Sequence, residues 1–249
     1  MLFILLLINA NPLKTGYQHA VNSARIWWGL FTTDSNKSFW GRAWELFSRF
    51  TFQAVQTNLG FLYAHCSNKY GNIQNVSHLY GATVITTGSM HTGRAVTIGN
   101  YITGGRNLEA SVENGTFQHE YGHYIQSQRL GFAYLPVVGI PSIINAGKAN
   151  SNHRFQPYEM NANYLAFMYF NKYVDGFYQT KENYDDWNAD NYFNRIRNHM
   201  GWDFRRHPLT QFGVYVDYYD SEYMREIQKS TSLKINFWNY LLPFFPNFY

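Results

Sequence analysis

The chain has 249 residues and a mass of 29.2 kDa, which suits one sizeable domain with its own hydrophobic core, or at most two small ones. Aromatic residues make up 19% of the chain and charged residues only 14%, so the composition excludes an intrinsically disordered protein. The net charge of +4 comes from scattered lysines and arginines, which argues against nucleic-acid binding, and the single cysteine, Cys66, excludes a disulfide framework or a multi-cysteine metal site.

Residues 1–11 are interpreted as a possible leader or linker. They contain the apolar run Leu2–Ile8, which no Lys or Arg precedes. This run fits the hydrophobic part of a signal peptide, a buried first strand, or a start codon inside a longer reading frame. The run, and a second apolar stretch at Leu135–Ile144, are far shorter than the roughly 20 residues of a membrane-spanning helix. We therefore expect no transmembrane segment and a single domain over residues 12–249.

The first third of this predicted domain has the pattern of helices. Apolar residues at helical spacing predict one helix over Tyr17–Leu30 and a longer one over Phe39–Tyr63. Nothing charged is clustered here, so we expect these residues to pack in the core. In the longer helix, the face that we expect to pack in the core contains Trp40, Ala43, Trp44, Phe47 and Phe50.

The following section changes to the pattern of strands. The β-branched runs Ala82–Gly88 and Ala95–Ile102 predict a β-hairpin, because a short glycine-containing segment joins them. Alternation of apolar and polar residues predicts further strands at Val214–Tyr218 and Leu233–Phe237. The expected fold class is α+β, with helices around a small, mostly antiparallel sheet.

One motif in the sequence is typical of metal-binding sites. Residues His119–His123 have the form H-E-x-x-H, within a predicted helix over Phe117–Leu130 that ends at Gly131. Two histidines four residues apart project from one face of a helix, so both imidazoles can reach one Zn²⁺. Glu120 then points to the side of the metal, where it can take a proton from water. The alternative to a metal site is a pair of surface histidines on an amphipathic helix, with no role in metal binding.

A catalytic zinc site needs a third protein ligand and an open fourth position. One class of zincins has glycine and histidine three and six residues after the motif, but those positions hold Gln126 and Arg129 here. The other common ligand is a glutamate from a second helix downstream. Glu159 fits this role, because Pro157 predicts a helix that begins there and runs to about Tyr173.

Other interpretations of Glu159 stay open. Acidic residues are favoured in the first turn of a helix by the helix dipole, whether or not they bind a metal. Asn163 shares the helix face of Glu159, and its side-chain oxygen could accept the free ring N–H of a ligand histidine. The competing metal ligands are Asp175, His153 and His207.

The H-E-x-x-H motif, the downstream E-x-x-A-N at Glu159–Asn163 and an upstream hairpin resemble the Glu-zincins, or gluzincins. The second element is similar to the E-x-x-A-D of the CaaX-prenyl-type and heat-shock membrane peptidases, with Asn163 in place of the aspartate. An amide polarises its histidine less than a carboxylate does. The resemblance implies a minimal zincin-like metallopeptidase fold.

A closer resemblance covers the chain from about Asn11 to the end. Residues 18–28, 118–128, 131–142 and 215–218 look like uncharacterised domains of Bacteroidetes that often stand at the C-termini of Rhs-repeat proteins. This resemblance implies a polymorphic-toxin effector or a surface-processed module, secreted or at the cell surface.

The predicted function is zinc-dependent hydrolysis of peptide bonds in a peptide or protein substrate. His119, His123 and Glu159 would bind Zn²⁺, and Glu120 would act as the general base. The strand at Ala95–Ile102 could hold an extended substrate by strand addition. Two alternatives stay open: a non-catalytic binding module whose zinc is structural or lost, and a toxin with a non-peptide target. A fourth protein ligand would favour the structural site.

Overall fold

The structure, a computed structural model, describes residues 12–148, 153, 156–174, 232, 233 and 235. The chain divides into two compact units, residues 1–116 and residues 117–249. The single domain expected over residues 12–249 stays a prediction. The α+β class is confirmed, because the described residues form helices and one four-stranded sheet.

Three helices precede the sheet in the first unit: α1 (Pro12–Gly29), α2 (Phe39–Phe50) and α3 (Ala54–Lys69). The prediction of one continuous helix over Phe39–Tyr63 is therefore wrong. The chain leaves the helical conformation at Thr51 (φ −123°, ψ −91°), whose hydroxyl donates a 2.7 Å hydrogen bond to the carbonyl of Phe47. This local bond satisfies the last turn of α2 and lets the chain change direction before α3.

The sheet contains β1 (Ile73–Leu79), β2 (Ala82–Thr87), β3 (Ala95–Ile98) and β4 (Tyr101–Gly104), in the order β1-β2-β4-β3. The β1–β2 and β3–β4 pairs are antiparallel, whereas β2 and β4 are parallel. A small, mostly antiparallel sheet was expected and is present. The predicted hairpin between Ala82–Gly88 and Ala95–Ile102 is wrong, because these runs are not consecutive antiparallel neighbours.

Turn geometry explains the error. The run predicted as one strand folds back at Gly99, whose φ of 65° begins a two-residue turn between β3 and β4. A Cβ at Gly99 would also lie 2.7 Å from the Cα of Thr57, so no larger residue fits. A second two-residue turn, at Tyr80 and Gly81, has positive φ at both positions (49° and 82°) and joins β1 to β2.

The second unit contains most of the helix predicted around the motif. The helix α4 (Gly115–Leu130) begins at the end of the first unit, and α5 (Ile140–Ala146) and α6 (Pro157–Tyr173) follow it. The predicted helices over 117–130 and 157–173 are confirmed, and Gly131 ends α4 with a φ of 54°. Between α4 and α5 the chain forms a 3₁₀ turn at Gly131–Ala133 and a π-helical turn at Leu135–Gly139.

Aromatic side chains hold α4 against α6. Phe117 and Tyr121 of α4 contact Phe170 of α6, with ring centroids 6.2 and 5.3 Å apart, and all three side chains are buried. Edge and tilted contacts of this kind add to the stabilisation that burial supplies. The packing fixes the orientation of the motif helix relative to the helix that carries Glu159.

The two strands predicted near the end of the sequence are not observed among the described residues. Residues 214–218 lie outside the described part of the chain, and within 233–237 only Leu233 and Ile235 are described, neither of them in a strand. Among the described residues, no single helix has the length and apolar character needed to cross a membrane. One helix pair, Gly115–Ala133 with Leu135–Ala146, meets that test jointly and is bent by 119°.

The aromatic face of α2 is a further correction. We expected it to pack in the core, but Trp40, Trp44 and Phe47 are exposed, whereas the polar residues Glu45 and Arg49 of the same helix are buried. The core of this unit is formed instead by Ile26, Leu30, Ala64, Ile73, Val76, Ile85 and Tyr101.

Candidate metal centre

The motif helix approaches α6 very closely at one point. Gly122, the fourth residue of the H-E-x-x-H motif, lies against Ala162 of α6, and a Cβ at Gly122 would overlap the carbonyl oxygen of Ala162. Only glycine permits this approach of two helix backbones. The contact brings His119 and His123 to the first turn of α6, where Glu159 stands.

Three side chains converge at this crossing. One carboxylate oxygen of Glu159, Oε2, lies 3.0 Å from Nε2 of His119 and 3.1 Å from Nε2 of His123. The two imidazole rings are nearly perpendicular, with centroids 4.8 Å apart. The ligand atoms of the three residues all lie within 4.8 Å of one another, so this group could hold a metal ion. These are the three residues that the sequence predicts as ligands.

An amide side chain orients each histidine. Nδ1 of His123 lies 2.7 Å from Oε1 of Gln126, and Nδ1 of His119 lies 2.6 Å from Oδ1 of Asn163. Gln126 Nε2 donates to the carbonyl of Tyr158 at 2.8 Å, and a carbonyl can only accept. The oxygen of Gln126 must therefore face His123, which places the proton of a neutral imidazole on Nδ1. Its Nε2 then carries the lone pair that a metal needs.

The hydrogen bond predicted between Asn163 and a motif histidine is present, but the role of Gln126 was missed. The sequence analysis noted Gln126 only because it stands where one class of zincins has a glycine. It stands three residues after His123 on the same helix, a spacing that brings two side chains together. That spacing was the available signal.

The other oxygen of Glu159 is held by different groups. Oε1 accepts a 2.7 Å hydrogen bond from the hydroxyl of Ser142 on α5 and lies 3.4 Å from Nε2 of His153. Glu159 is only 1% exposed, so these contacts replace the water that a free carboxylate would bind. Ser142 has no counterpart among the predicted site residues, because nothing in the sequence places α5 beside Glu159.

His153, a competing ligand in the sequence, lies on the far side of the carboxylate. It faces Oε1 of Glu159, whereas the two motif histidines face Oε2. Within the described part of the chain, the metal-binding group has three members and does not include His153. The two other competing ligands, Asp175 and His207, lie outside the described residues.

The charges of the histidines and of Glu159 shift the pKa values of His119 and Glu159. Burial by itself would lower the pKa of His119, but the hydrogen bond and charge of Glu159, helped by Glu120 and Asn163, raise this pKa to about 9. Burial would raise the pKa of Glu159, but the charge of His123 and hydrogen bonds from both histidines lower it well below its usual range. The ionised carboxylate of Glu159 therefore faces the protonated imidazole of His119, and a metal cation could take the place of that positive charge.

Two further residues lie within the electrostatic reach of the group. Glu120 is buried, and its charge contributes to the raised pKa of His119. Burial, followed by the charges of Glu120 and Glu159, raises the pKa of Tyr134 well above its ordinary value, so its phenol keeps its proton. The sequence analysis missed Tyr134, because one tyrosine among 21 has no local signature.

Comparison of the chain with known protein families, curated proteins and solved structures gave no match. The resemblances to gluzincins and to Rhs-associated domains stay predictions from the sequence.

Proposed function

We propose that this chain is a zinc-dependent peptide hydrolase, with His119, His123 and Glu159 as the metal ligands. The observation that carries the proposal is the convergence of two imidazole Nε2 atoms and one carboxylate oxygen within 4.8 Å. Two histidines and one glutamate are a donor set found in catalytic zinc sites. Imidazole also suits zinc better than it suits magnesium or calcium, which prefer oxygen ligands.

The surrounding hydrogen bonds support metal binding. Gln126 and Asn163 hold the two imidazoles by Nδ1 and leave both Nε2 atoms directed at Glu159. Such partners typically account for about 10- to 100-fold in metal affinity or activity. Ser142 holds the opposite oxygen of Glu159, which favours binding through Oε2 alone.

Glu120 is the proposed general base. Zinc, when bound at this site, supplies a Lewis acid that polarises the scissile carbonyl and lowers the pKa of water toward about 7. Glu120 would accept a proton from the attacking water as its oxygen bonds to the carbonyl carbon. The same carboxyl group would then give this proton to the leaving amine as the C–N bond breaks. Its buried place beside His119 supports this role.

The alternative of a structural zinc needs a fourth protein ligand. His153 is a further imidazole beside Glu159, but it faces the opposite oxygen of that carboxylate and does not belong to the three-residue group. This arrangement favours a catalytic site over a closed structural one. Secretion and the association with Rhs-repeat proteins remain part of the proposal that rests on the sequence resemblance.

The test combines metal analysis with hydrolysis. Protein purified without chelators should contain close to one zinc per chain, and the His123→Ala variant should lose most of it. The parent protein should cleave members of a peptide library. Glu120→Gln should keep the zinc and reduce the cleavage rate by about 10²- to 10⁴-fold, because glutamine cannot accept the proton. Full zinc retention by His123→Ala, or unchanged cleavage by Glu120→Gln, would contradict the proposal.

A further inference from the structure

The amphipathic helix α2 buries its polar side and exposes its aromatic side. Its polar residues Glu45, Ser48 and Arg49 are buried, whereas Trp40, Trp44 and Phe47 are 78%, 59% and 52% exposed. A surface helix ordinarily buries its apolar stripe and exposes its charges. The reversed orientation therefore needs a physical cause and a consequence.

The cause is a buried ion pair. Glu45 and Arg49 lie 3.1 Å apart at i, i+4 spacing, and each side chain is only 1% exposed. Arg49 also donates to backbone carbonyls, and Glu45 Oε2 accepts a 3.1 Å bond from Lys37. Rotating α2 to bury its aromatic side would strip these partners from a buried pair, which is strongly unfavourable. The carbonyls that accept from Arg49 belong to Gly29, Leu30, Thr32 and Gly81, at 2.6–3.2 Å.

The consequence is an exposed aromatic surface along α2 and the residue that follows it closely, Phe52. Trp44, Phe47 and Phe52 contact one another, with ring centroids 5.5–6.1 Å apart, and Phe39 contacts Trp40 at 5.2 Å. Single exposed apolar side chains are normal, but a contiguous set marks an interaction site. The aromatic face, as the set is called below, consists of Phe39, Trp40, Trp44, Phe47, Phe50 and Phe52, all of them exposed.

The exposed charge of the unit that carries this face is mainly positive. Residues 15–116 contain four carboxylates, of which Asp34 and Glu45 are buried and Glu109 and Glu113 are exposed. Arg42, on α2 itself, is exposed. An excess of exposed cations favours an anionic partner over a second copy of the same unit. The other exposed cations in this range are Arg25, Lys69, Arg94 and Arg106.

We propose that the first unit docks on an anionic lipid bilayer through the aromatic face. Tryptophan is enriched at the level of lipid headgroups, because its ring is apolar and its N–H can bond to the polar layer. A helix with aromatic residues on one side and nearby cations lies in this interface, where apolar burial and attraction to anionic lipids add together. The inference is independent of the proposed zinc chemistry.

The test is binding to vesicles of phosphatidylcholine, alone or with one quarter phosphatidylglycerol. The parent chain should sediment with the anionic vesicles, and less with the neutral ones or at high salt. The double variant Trp40→Ser/Trp44→Ser should bind about tenfold more weakly or worse. Tyr70→Ser is the matched control, because Tyr70 is an aromatic side chain of the same unit that is 73% exposed and lies outside the face.

Several results would overturn the proposal. These are absence of binding to anionic vesicles, an equal loss in the Tyr70→Ser control, or no loss in the double variant when circular dichroism shows both folded. Poor quenching of Trp40 and Trp44 by acrylamide without lipid would mean that other parts of the chain cover the face. A dimer that the double variant abolishes would assign the face to a second copy. A more conservative variant, Phe47→Ser, keeps the test open if the double variant fails to fold.

Discussion

Ser142 donates a 2.7 Å hydrogen bond to Oε1 of Glu159, while Oε2 of the same carboxylate faces both motif histidines at 3.0 and 3.1 Å. The two carboxylate oxygens of Glu159 therefore have different roles. The hydroxyl of Ser142 holds Oε1, and Oε2 is directed at the candidate metal position. A carboxylate that is fixed in this way loses little rotational freedom when it binds a metal ion, because the protein has already oriented it.

Ser142→Ala should therefore weaken zinc binding by about tenfold, the lower end of the effect expected for a residue that orients a ligand. The measurement is a competition titration of zinc against a chelator. Ile143→Ala is the control, because Ile143 is the next residue of α5 and is 57% exposed. Equal affinities in the parent, Ser142→Ala and the control would mean that Glu159 needs no help from Ser142.

Asn163 offers a comparison of amide and carboxylate at one position. Its oxygen lies 2.6 Å from Nδ1 of His119. Asn163→Ala should weaken zinc binding by about 10- to 100-fold, whereas Asn163→Asp should retain or tighten it, since a carboxylate makes the imidazole a stronger donor. The same competition titration applies, with Lys172→Ala as an exposed control on α6. If all four proteins bound zinc equally, the E-x-x-A-N resemblance would be accidental.

The three ligands could be predicted from the sequence because their signals are local. The spacing of His119 and His123 places both on one helix face, and Pro157 marks the start of the helix that carries Glu159. The partners of these ligands could not be predicted in the same way. Ser142 reaches Glu159 only through the turns between α4 and α5, which depend on tertiary packing.

The sheet and the orientation of α2 show two other limits. Strands β2 and β4 pair in parallel although β3 lies between them in the sequence, and β-branched composition alone does not select a partner. In α2, the apolar pattern indicated an amphipathic helix, but the prediction that its aromatic side faces inward is wrong. The Glu45–Arg49 pair decides this, and its burial depends on carbonyl groups from other segments.

Gly122 provides a test of the helix crossing. In Gly122→Ala, the new methyl group would overlap the carbonyl oxygen of Ala162, so α4 and α6 must move apart. We expect a loss of about 1–3 kcal/mol in the free energy of unfolding, the usual cost of overpacking. Urea denaturation of the chelator-treated protein measures it. Gly115→Ala is the matched control, because a Cβ at Gly115 meets no atom within 4 Å. A Gly122→Ala protein as stable as this control would contradict the close crossing.

The raised pKa of His119 predicts how zinc binding depends on pH. In chelator-treated protein this pKa is about 9, against 6.5 for an ordinary histidine, so His119 holds a proton at pH 7.5. A histidine must be neutral to bind a metal, and zinc binding at pH 7.5 should therefore release close to one proton from His119. The apparent zinc affinity should rise by up to about tenfold per pH unit from pH 7 until it levels off near pH 9.

The same pKa predicts the stability of the zinc-free protein, with the sign set by the direction of the shift. A pKa that is higher in the folded than in the unfolded state contributes stability fully below pH 6.5, and this stability is lost as the pH rises through about 9. Calorimetric titration with zinc in buffers of different ionisation enthalpy measures the released protons, and urea denaturation between pH 6 and 10 measures the stability. His153→Gln is a useful control, because burial lowers the pKa of His153 and leaves it neutral at pH 7.5. Zinc binding without proton release at pH 7.5, together with flat stability up to pH 10, would show that His119 is neutral and does not pair with Glu159 as a cation.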